Sequence, residues 1–346
     1  MEQKVLGNSD IEVSKICLGT MTFGRQNSES EGHEQLNYAL TEGINFFDTA
    51  EMYAVPASKE TSGLTEKYIG TWLKNQVRDQ IIIATKITGP SANMTYIRNP
   101  LDFKTTSIDL ALEGSLRRLQ TDYVDLYQLH WPERNNNRFG IRGMESIDDD
   151  PWENNFLEVI QKLNGLIDEG KIRTWGLSNE TPWGVMTILN LCDQHDLKRP
   201  VSIQNPYSLV NRTYEVGMAE VSLRENIGLL AYSPLAMGLL SGKYNLKTDH
   251  PENRLNQFKK SYPRYQTEAS NEAVKNYIAV AKSYGLTPTQ MALAFVNDRA
   301  FMSSTIIGAT NMEQLKENIS TATIKLSEDC LTTINEIHDV ISNPCP

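Results

Sequence analysis

"NFFDTAEMY", residues 45–53, is an apolar, β-prone run that stops at Asp48, with Tyr53 following five residues later across small and polar side chains. A carboxylate at the end of a buried strand either caps the turn that follows or faces a site. The surrounding sequence decides between them. Together with "INFFD" at 44–48, similar runs recur as "ICLG" at 16–19, "IIIATK" at 81–86, "VDLYQLH" at 124–130, "IRTWGLS" at 172–178, "VSIQN" at 201–205, "GLLAYS" at 228–233 and "SSTIIGA" at 303–309, eight in all. Between them lie stretches with helical spacing, among them "SEGHEQLNYALTEG", "TSIDLALEGSLRRLQ", "WENNFLEVIQKLNGLIDEG" and "TPWGVMTILNLCDQHD". Thr181 with Pro182 supplies an N-cap and a first-turn proline, and Gly43 and Gly170 follow helices where a left-handed residue is wanted. Continuous apolar strands alternating with helices predict an α/β fold with a parallel sheet covered on its outer face. Eight such units predict a closed (β/α)8 TIM barrel, one domain over residues 1–346.

The ends depart from the repeat. Residues 1–13 place Asn8, Ser9 and Asp10 between "KVLG" and "IEVS", which predicts a β-hairpin ahead of the barrel, plugging its bottom. "SEDCLTTINEIHDVI" at 327–341 predicts a C-terminal helix on the outside. The connections 87–103, 131–153 and 237–265 are longer than usual for an α/β unit. Loops that follow barrel strands lie at the catalytic face.

A formal net charge of −10 argues against broad binding to nucleic acid or anionic membrane. No apolar segment of about 18 residues reads as a membrane span. The opening "MEQKVLGNSDIEVSK" lacks the apolar core of a signal peptide, which predicts a cytoplasmic location. Cys17, Cys192, Cys330 and Cys345 lack metal-type spacing and read as buried free thiols. His33, His130, His195, His250 and His338 are scattered, so no metal is predicted.

Asp48, Lys86 and His130 each close a strand, and Tyr53 sits one short loop beyond the first of them. In a barrel these C-terminal strand ends meet at one rim although they are distant in sequence.

"NFFDTAEMY", "IIIATK", "DYVDLYQLHW", "GKIRTWGLSN", "IQNPYSL", "LLAYSPLAMGLLSGKY" and "TIIGATNMEQLKENI" together resemble an aldo-keto reductase, in that family's order from Gly19 to Asn318. "LGTMTFG", "AEMYAVP" and "IQNPYSLVNRTYEVGMAEVS" resemble its bacterial Tas-type branch. The resemblance implies a catalytic tetrad of Asp48, Tyr53, Lys86 and His130 and NADPH-dependent reduction of aldehyde or ketone carbonyls. Such a reaction needs a hydride at carbon and a proton at oxygen. Tyrosine is a reluctant acid near its free pKa of about 10. A neighbouring Lys86 is expected to lower that value, with Asp48 holding the lysine and His130 donating to the substrate oxygen.

The resemblance also assigns the cofactor contacts. Gly19, Thr20 and Met21 close the first strand and line the site. Ser178, Asn179 and Gln204, with Asp48 beside them, address the carboxamide, and Tyr232 stacks on the nicotinamide. The small residues of "SPLAMGLLSGKY", namely Ser233, Pro234, Leu235, Ala236 and Gly238, allow backbone N–H groups to cradle phosphate. Gly308, Thr310, Gln314, Glu317 and Asn318 lie at the last strand-to-helix turn, where a helix N-terminus favours anions. Lys243 and Arg254 are implied partners of the adenosine 2′-phosphate. Phe23, Tyr53, His130 and Trp131 are expected at the substrate pocket, with the 131–153 insertion shaping its mouth. A rival reading is a nucleotide-sensing regulatory subunit similar to potassium-channel β-subunits. His130 favours catalysis, because those subunits carry asparagine at the matching place.

Overall fold

The computed structural model describes residues 1–245 and 251–346. His250 and the middle of the 237–265 connection lie outside the described residues. The hairpin pairs β1 (Gln3–Val5) with β2 (Glu12–Ser14). The eight apolar runs become β3 (Ile16–Gly19), β4 (Phe46–Asp48), β5 (Ile82–Ile87), β6 (Val124–Leu129), β7 (Ile172–Ser178), β8 (Ser202–Pro206), β9 (Gly228–Tyr232) and β10 (Met302–Ile307). They close in that order, with β10 pairing β3 and neighbouring strands parallel. This is the (β/α)8 barrel that the alternation predicts.

Successive side chains on a strand face opposite sides, so each strand feeds two cores. Phe46, Ile82, Ala84, Leu126, Leu230 and Ile306 fill the barrel interior, where the hairpin's Leu6, Ile11 and Val13 join them. Phe47, Ile83, Tyr127, Trp175, Ile203 and Leu229 face outward into the layer beneath the helices. The hairpin therefore closes the N-terminal end. A Cβ on Gly7 would fall 2.4 Å from the Val201 carbonyl oxygen, so only glycine lets the plug seat this deeply.

The helices are α1 (Glu29–Thr41), α2 (Leu64–Leu73), α3 (Thr105–Leu119), α4 (Phe156–Asp168), α5 (Pro182–Gln194), α6 (Met218–Glu225), α7 (Arg254–Gln257), α8 (Glu268–Ser283), α9 (Pro288–Asn297), α10 (Met312–Ser320) and α11 (Glu328–Val340). Ser28 and Glu31 cap α1 reciprocally, and the Thr181 hydroxyl accepts from Gly184 N at the start of α5. The C-terminal helix α11 packs on α8, outside the barrel. All three long connections follow strands and converge at the C-terminal end of the barrel, while α7 and short 3-10 turns occupy the described part of 237–265.

Leu6 is fully buried in the plug. Leu6→Ala should lower unfolding stability by about 2–4 kcal/mol through lost contacts and a residual cavity, measured by denaturant titration.

Candidate active site

Strand register assembles the site. Asp48 on β4 pairs with Gly19 on β3 and Ala84 on β5, and Lys86, two residues past Ala84, pairs with Gln128 on β6. Period-two alternation turns Asp48, Lys86 and Gln128 into the barrel at its C-terminal end, and Gln204 reaches them from β8. Lys86 Nζ donates to Asp48 Oδ2 at 2.7 Å and to the Thr49 carbonyl at 2.7 Å, and lies 3.5 Å from the Tyr53 hydroxyl. The other carboxylate oxygen of Asp48 accepts from Gln204 Nε2 at 2.8 Å and Gln128 Nε2 at 3.3 Å. The lysine is fully buried and the aspartate nearly so, which makes the pair costly to desolvate and tolerable only with these bonds complete.

The segment after Asp48 is pinned to the neighbouring strand: Thr49 N donates to the Ala84 carbonyl at 2.9 Å and Glu51 N to that of Lys86 at 3.3 Å. Glu51 Oε1 accepts from Thr88 N at 2.6 Å, and its carboxylate pairs with Arg98 at 3.1 Å. The Glu51–Arg98 pair thus ties the Tyr53 segment to the 87–103 connection. The Tyr53 ring stands edge-on to the His130 imidazole with centroids 5.8 Å apart.

Burial, then the Lys86 charge, pushes His130 well below its ordinary value, so its imidazole is neutral. Tyr53 departs from the expectation drawn from Lys86. Its pKa is pushed up, first by burial and then by Asp48. Lys86 is engaged by the carboxylate and a carbonyl, and its longer approach to the hydroxyl does not offset desolvation. The phenol is therefore held protonated, as a proton donor. Lys86 itself is lowered by burial against the opposing pull of Asp48.

Asp48, Tyr53 and His130 lie at the floor of a cavity of about 1370 Å³, which the fully buried Lys86 does not line. Ordinary small-molecule sites are about 300–1,000 Å³. Gly19, Thr20, Met21, Ser178, Asn179, Gln204, Tyr232, Ser233, Pro234, Leu235, Gly238, Lys243, Arg254, Gly308, Thr310, Gln314, Glu317, Asn318 and Trp131 all line it. Besides Lys86, two expected residues do not. Ala236 is fully buried, with its N–H donating to the Ser233 carbonyl at 2.8 Å. Phe23, expected at the substrate pocket, is fully buried in the outer core with its ring against the Cα of Gly32 on α1.

The polar atoms expected to meet a carboxamide have protein partners. Asn179 Nδ2 donates to the His130 carbonyl at 2.9 Å, its Oδ1 accepts from the Tyr232 hydroxyl at 2.6 Å, and Ser178 Oγ donates to the Gln204 carbonyl at 2.9 Å. The turn after β9 runs through left-handed backbone at Ser233, Ala236, Met237 and Gly238, with Ala236 N donating to the Ser233 carbonyl at 2.8 Å and Gly238 N to that of Leu235 at 2.9 Å. A Cβ on Gly238 would lie 2.8 Å from Lys243 Cε, so glycine lets this lysine approach the turn. Burial and then neighbouring Arg254 lower the pKa of Lys243, which marks two cations facing one space. The volume and the paired cations fit a phosphorylated dinucleotide together with a second, smaller ligand. Among the described residues no His, Cys, Asp and Glu group could hold a metal, and all four cysteines are free and buried. Among them, too, no helix is long and apolar enough to cross a membrane.

The long insertion builds one wall. Arg134 makes a two-pronged, buried pair with Glu180 and lies 4.9 Å from the Trp183 ring, with Phe156 at 5.4 Å and Trp152 at 5.9 Å. Asn136 donates to the Asn179 carbonyl at 2.9 Å. Phe139 stands edge-on to Trp131 at 5.8 Å, and Trp131 lies 4.9 Å from His130. Gln128, the Glu51–Arg98 pair and Arg134–Glu180 escaped the sequence reading. Gln128 had a usable signal, since it stands two residues before His130 and so faces the same way.

Residues 15–339 match the Aldo/keto reductase family. Protein tas of Escherichia coli (strain K12) is 49% identical over 348 residues, covering both chains completely. An uncharacterized oxidoreductase of Bacillus subtilis (strain 168), YrpG, is 32% identical over 97% of this chain and 96% of its own. A probable voltage-gated potassium channel subunit beta of Arabidopsis thaliana is 30% identical over 92% of this chain and 90% of its own. The chain belongs to the aldo/keto reductase family of oxidoreductases.

Asp48→Asn leaves Lys86 buried without its counter-charge and should cost about 3–5 kcal/mol of stability by denaturant titration. The folded chain binds the His130 proton less tightly than the unfolded chain does, so stability should rise with pH up to the ordinary histidine value of 6.5. The slope should be about 1.4 kcal/mol per pH unit between the depressed and ordinary values, and His130→Gln should remove it.

Proposed function

We propose that this aldo/keto reductase is an NADPH-dependent oxidoreductase that reduces aldehydes or ketones to alcohols, with Tyr53 as general acid. In this reading the chain acts as one barrel domain in the cytoplasm, on a small-molecule carbonyl, without nucleic-acid or membrane partners. One observation carries it: a protonated Tyr53 and a neutral His130 stand together at the floor of a large cavity, over a buried Lys86–Asp48 pair.

NADPH, when bound, supplies the hydride that the carbonyl carbon receives. Lys243 and Arg254 would hold its 2′-phosphate, the turn at Ser233–Gly238 and the start of α10 its other phosphates, and Ser178, Asn179 and Gln204 its carboxamide. Tyr232 would face the nicotinamide. As negative charge develops on the substrate oxygen, neutral His130 donates a hydrogen bond that orients and stabilises it. Tyr53 gives its hydroxyl proton to that oxygen, leaving a phenolate beside Lys86. Asp48 holds the lysine, and Gln128 and Gln204 hold Asp48. Trp131 and the insertion wall shield the reacting oxygen from water.

A second reading, a nucleotide-binding regulatory subunit, draws on the similarity to the Arabidopsis thaliana protein. It leaves the Tyr53–His130 pair without a task. NADPH binding without turnover on a broad carbonyl panel would favour it.

Tyr53→Phe should lower NADPH-dependent carbonyl reduction by about 10²–10⁴-fold, followed at the NADPH absorbance, with cofactor affinity nearly unchanged. Lys243→Ala and Arg254→Ala should each raise KM for NADPH about tenfold while leaving NADH nearly untouched.

A further inference from the structure

We infer that the outer end of the cavity receives an anionic group, a carboxylate or a phosphate, borne by the carbonyl substrate on a flat apolar body, with Arg138 as its main partner and Arg142 beside it. The inference rests on the carbonyl-reductase reading and adds the substrate class.

Arg138 lines the cavity, half-buried, on the inner side of the insertion. Its Nη1 donates to the Arg134 carbonyl at 3.2 Å and to Asn136 Oδ1, which fixes the guanidinium. Among the described residues nothing accepts from its Nε or Nη2. The two carboxylates whose fields reach it are engaged elsewhere. Asp150 accepts from Asn135 N at 2.9 Å and Trp152 N at 3.1 Å. Glu180 is taken by Arg134 and by Thr181 N at 2.6 Å. Burial, and then the like charge of Arg134, lower the pKa of Arg138. A partly desolvated cation beside a second cation, with two donors directed away from protein acceptors, is stabilised by an anion entering from the cavity.

The mount is rigid, because Arg134 is caged by three aromatic rings and Asn136 is bonded to Asn179. Arg142 is exposed on the same cavity wall and makes no bond to any described residue. Arg264 completes the rim, with Nη1 donating to the Pro346 carbonyl oxygen at 3.3 Å.

The apolar body follows from what lies between. Ring contacts of 5.8, 4.9 and 5.8 Å lead from Tyr53 through His130 and Trp131 to Phe139, the residue after Arg138. A carbonyl held at Tyr53 and His130 would lay a flat ring along Trp131 and Phe139 and carry its charged end to Arg138. The cofactor's cations are separate: Arg254 bonds Gln26 Oε1 at 3.0 Å, and Lys243 packs under Gly238.

The test compares 4-carboxybenzaldehyde, its methyl ester and 4-formylphenyl phosphate with the full chain and NADPH. For the wild type, kcat/KM for at least one anion should exceed that for the ester by about tenfold or more. The better anion tells carboxylate from phosphate recognition. Arg138→Gln should collapse that ratio through KM rather than kcat, Arg138→Lys should restore part of it, and Arg142→Gln should cause a smaller loss. Titration calorimetry of the same ligands on the NADP-loaded protein reads binding without turnover. Arg138-dependent preference for the anion there, with no reduction of any aldehyde, would support the anion site while overturning the reductase reading. Equal kcat/KM and equal affinity for ester and anions would overturn the inference, as would an equal loss for both in Arg138→Gln. Should Arg138→Gln fail to fold, Arg142→Gln and Arg138→Lys decide by the same ratio.

Discussion

The buried ion pair of Lys86 and Asp48 constrains everything around it. A lysine with no solvent exposure at the end of a closed barrel survives as a cation only if opposite charge and further acceptors reach it. Asp48 supplies the charge and the Thr49 carbonyl a second acceptor. Asp48 in turn needs donors on its other oxygen, and Gln204 and Gln128 give them from strands four and two places around the barrel. Four strands must therefore be in register before the pair is tolerable. Barrel closure and the floor of the candidate site are one requirement met twice, and the hairpin plug serves it by sealing the opposite end with Leu6, Ile11 and Val13.

Above that floor the charge distribution reverses the balance of the chain. The molecule carries a net −10, yet the cavity wall bears Lys243, Arg254, Arg138, Arg142 and Arg264 against Asp48, Glu252 and Glu317. Asp48 is already committed to Lys86, and Glu317 accepts from Thr287 Oγ1 at 2.6 Å. The cations come from loops after β6 and β9, which meet where Gly140 packs against Arg264. Acidic residues elsewhere keep the surface from attracting polyanions, while the low-dielectric walls concentrate positive potential where a small anion would enter. Net charge argues against polyanionic partners and says nothing about small ligands.

The barrel was legible because each strand is both short and apolar, and the breaks between strands fall where helix caps do. Asp48, Lys86 and His130 were legible as polar residues closing such strands. Gln128 lay within the same logic, two residues before His130, but its amide carries no chemistry that draws attention. The loops were harder. Phe23 lies four residues past β3, where strand periodicity no longer fixes direction, and its ring turns outward because Gly32 on α1 leaves room for it. Glu51–Arg98 and Arg134–Glu180 join residues 46–47 positions apart through loops with no periodic signal. The protonation of Tyr53 is not legible in the motif, where proximity to Lys86 is visible but desolvation, the larger influence, depends on the packed cavity.

That correction bears on the direction of the proposed chemistry. With Asp48 and Lys86 compensating each other, the floor is close to neutral, and a phenol at its edge has little reason to ionise. Proton donation becomes favourable only when a developing alkoxide provides an acceptor far more basic than water. At that moment the charge left on the tyrosine oxygen lies 3.5 Å from Lys86 Nζ, and the lysine can strengthen that contact at the expense of its bonds to Asp48 and Thr49. In the proposed reaction Lys86 thus acts on the transition state more than on the resting phenol, which is the differential interaction that lowers a barrier. In the proposed reaction neutral His130 contributes in the same sense, since its ring N–H can donate a hydrogen bond to the developing alkoxide. Under the proposed function, such a site would donate the phenol proton at neutral pH, whereas alcohol oxidation would first need the phenolate that burial and Asp48 oppose.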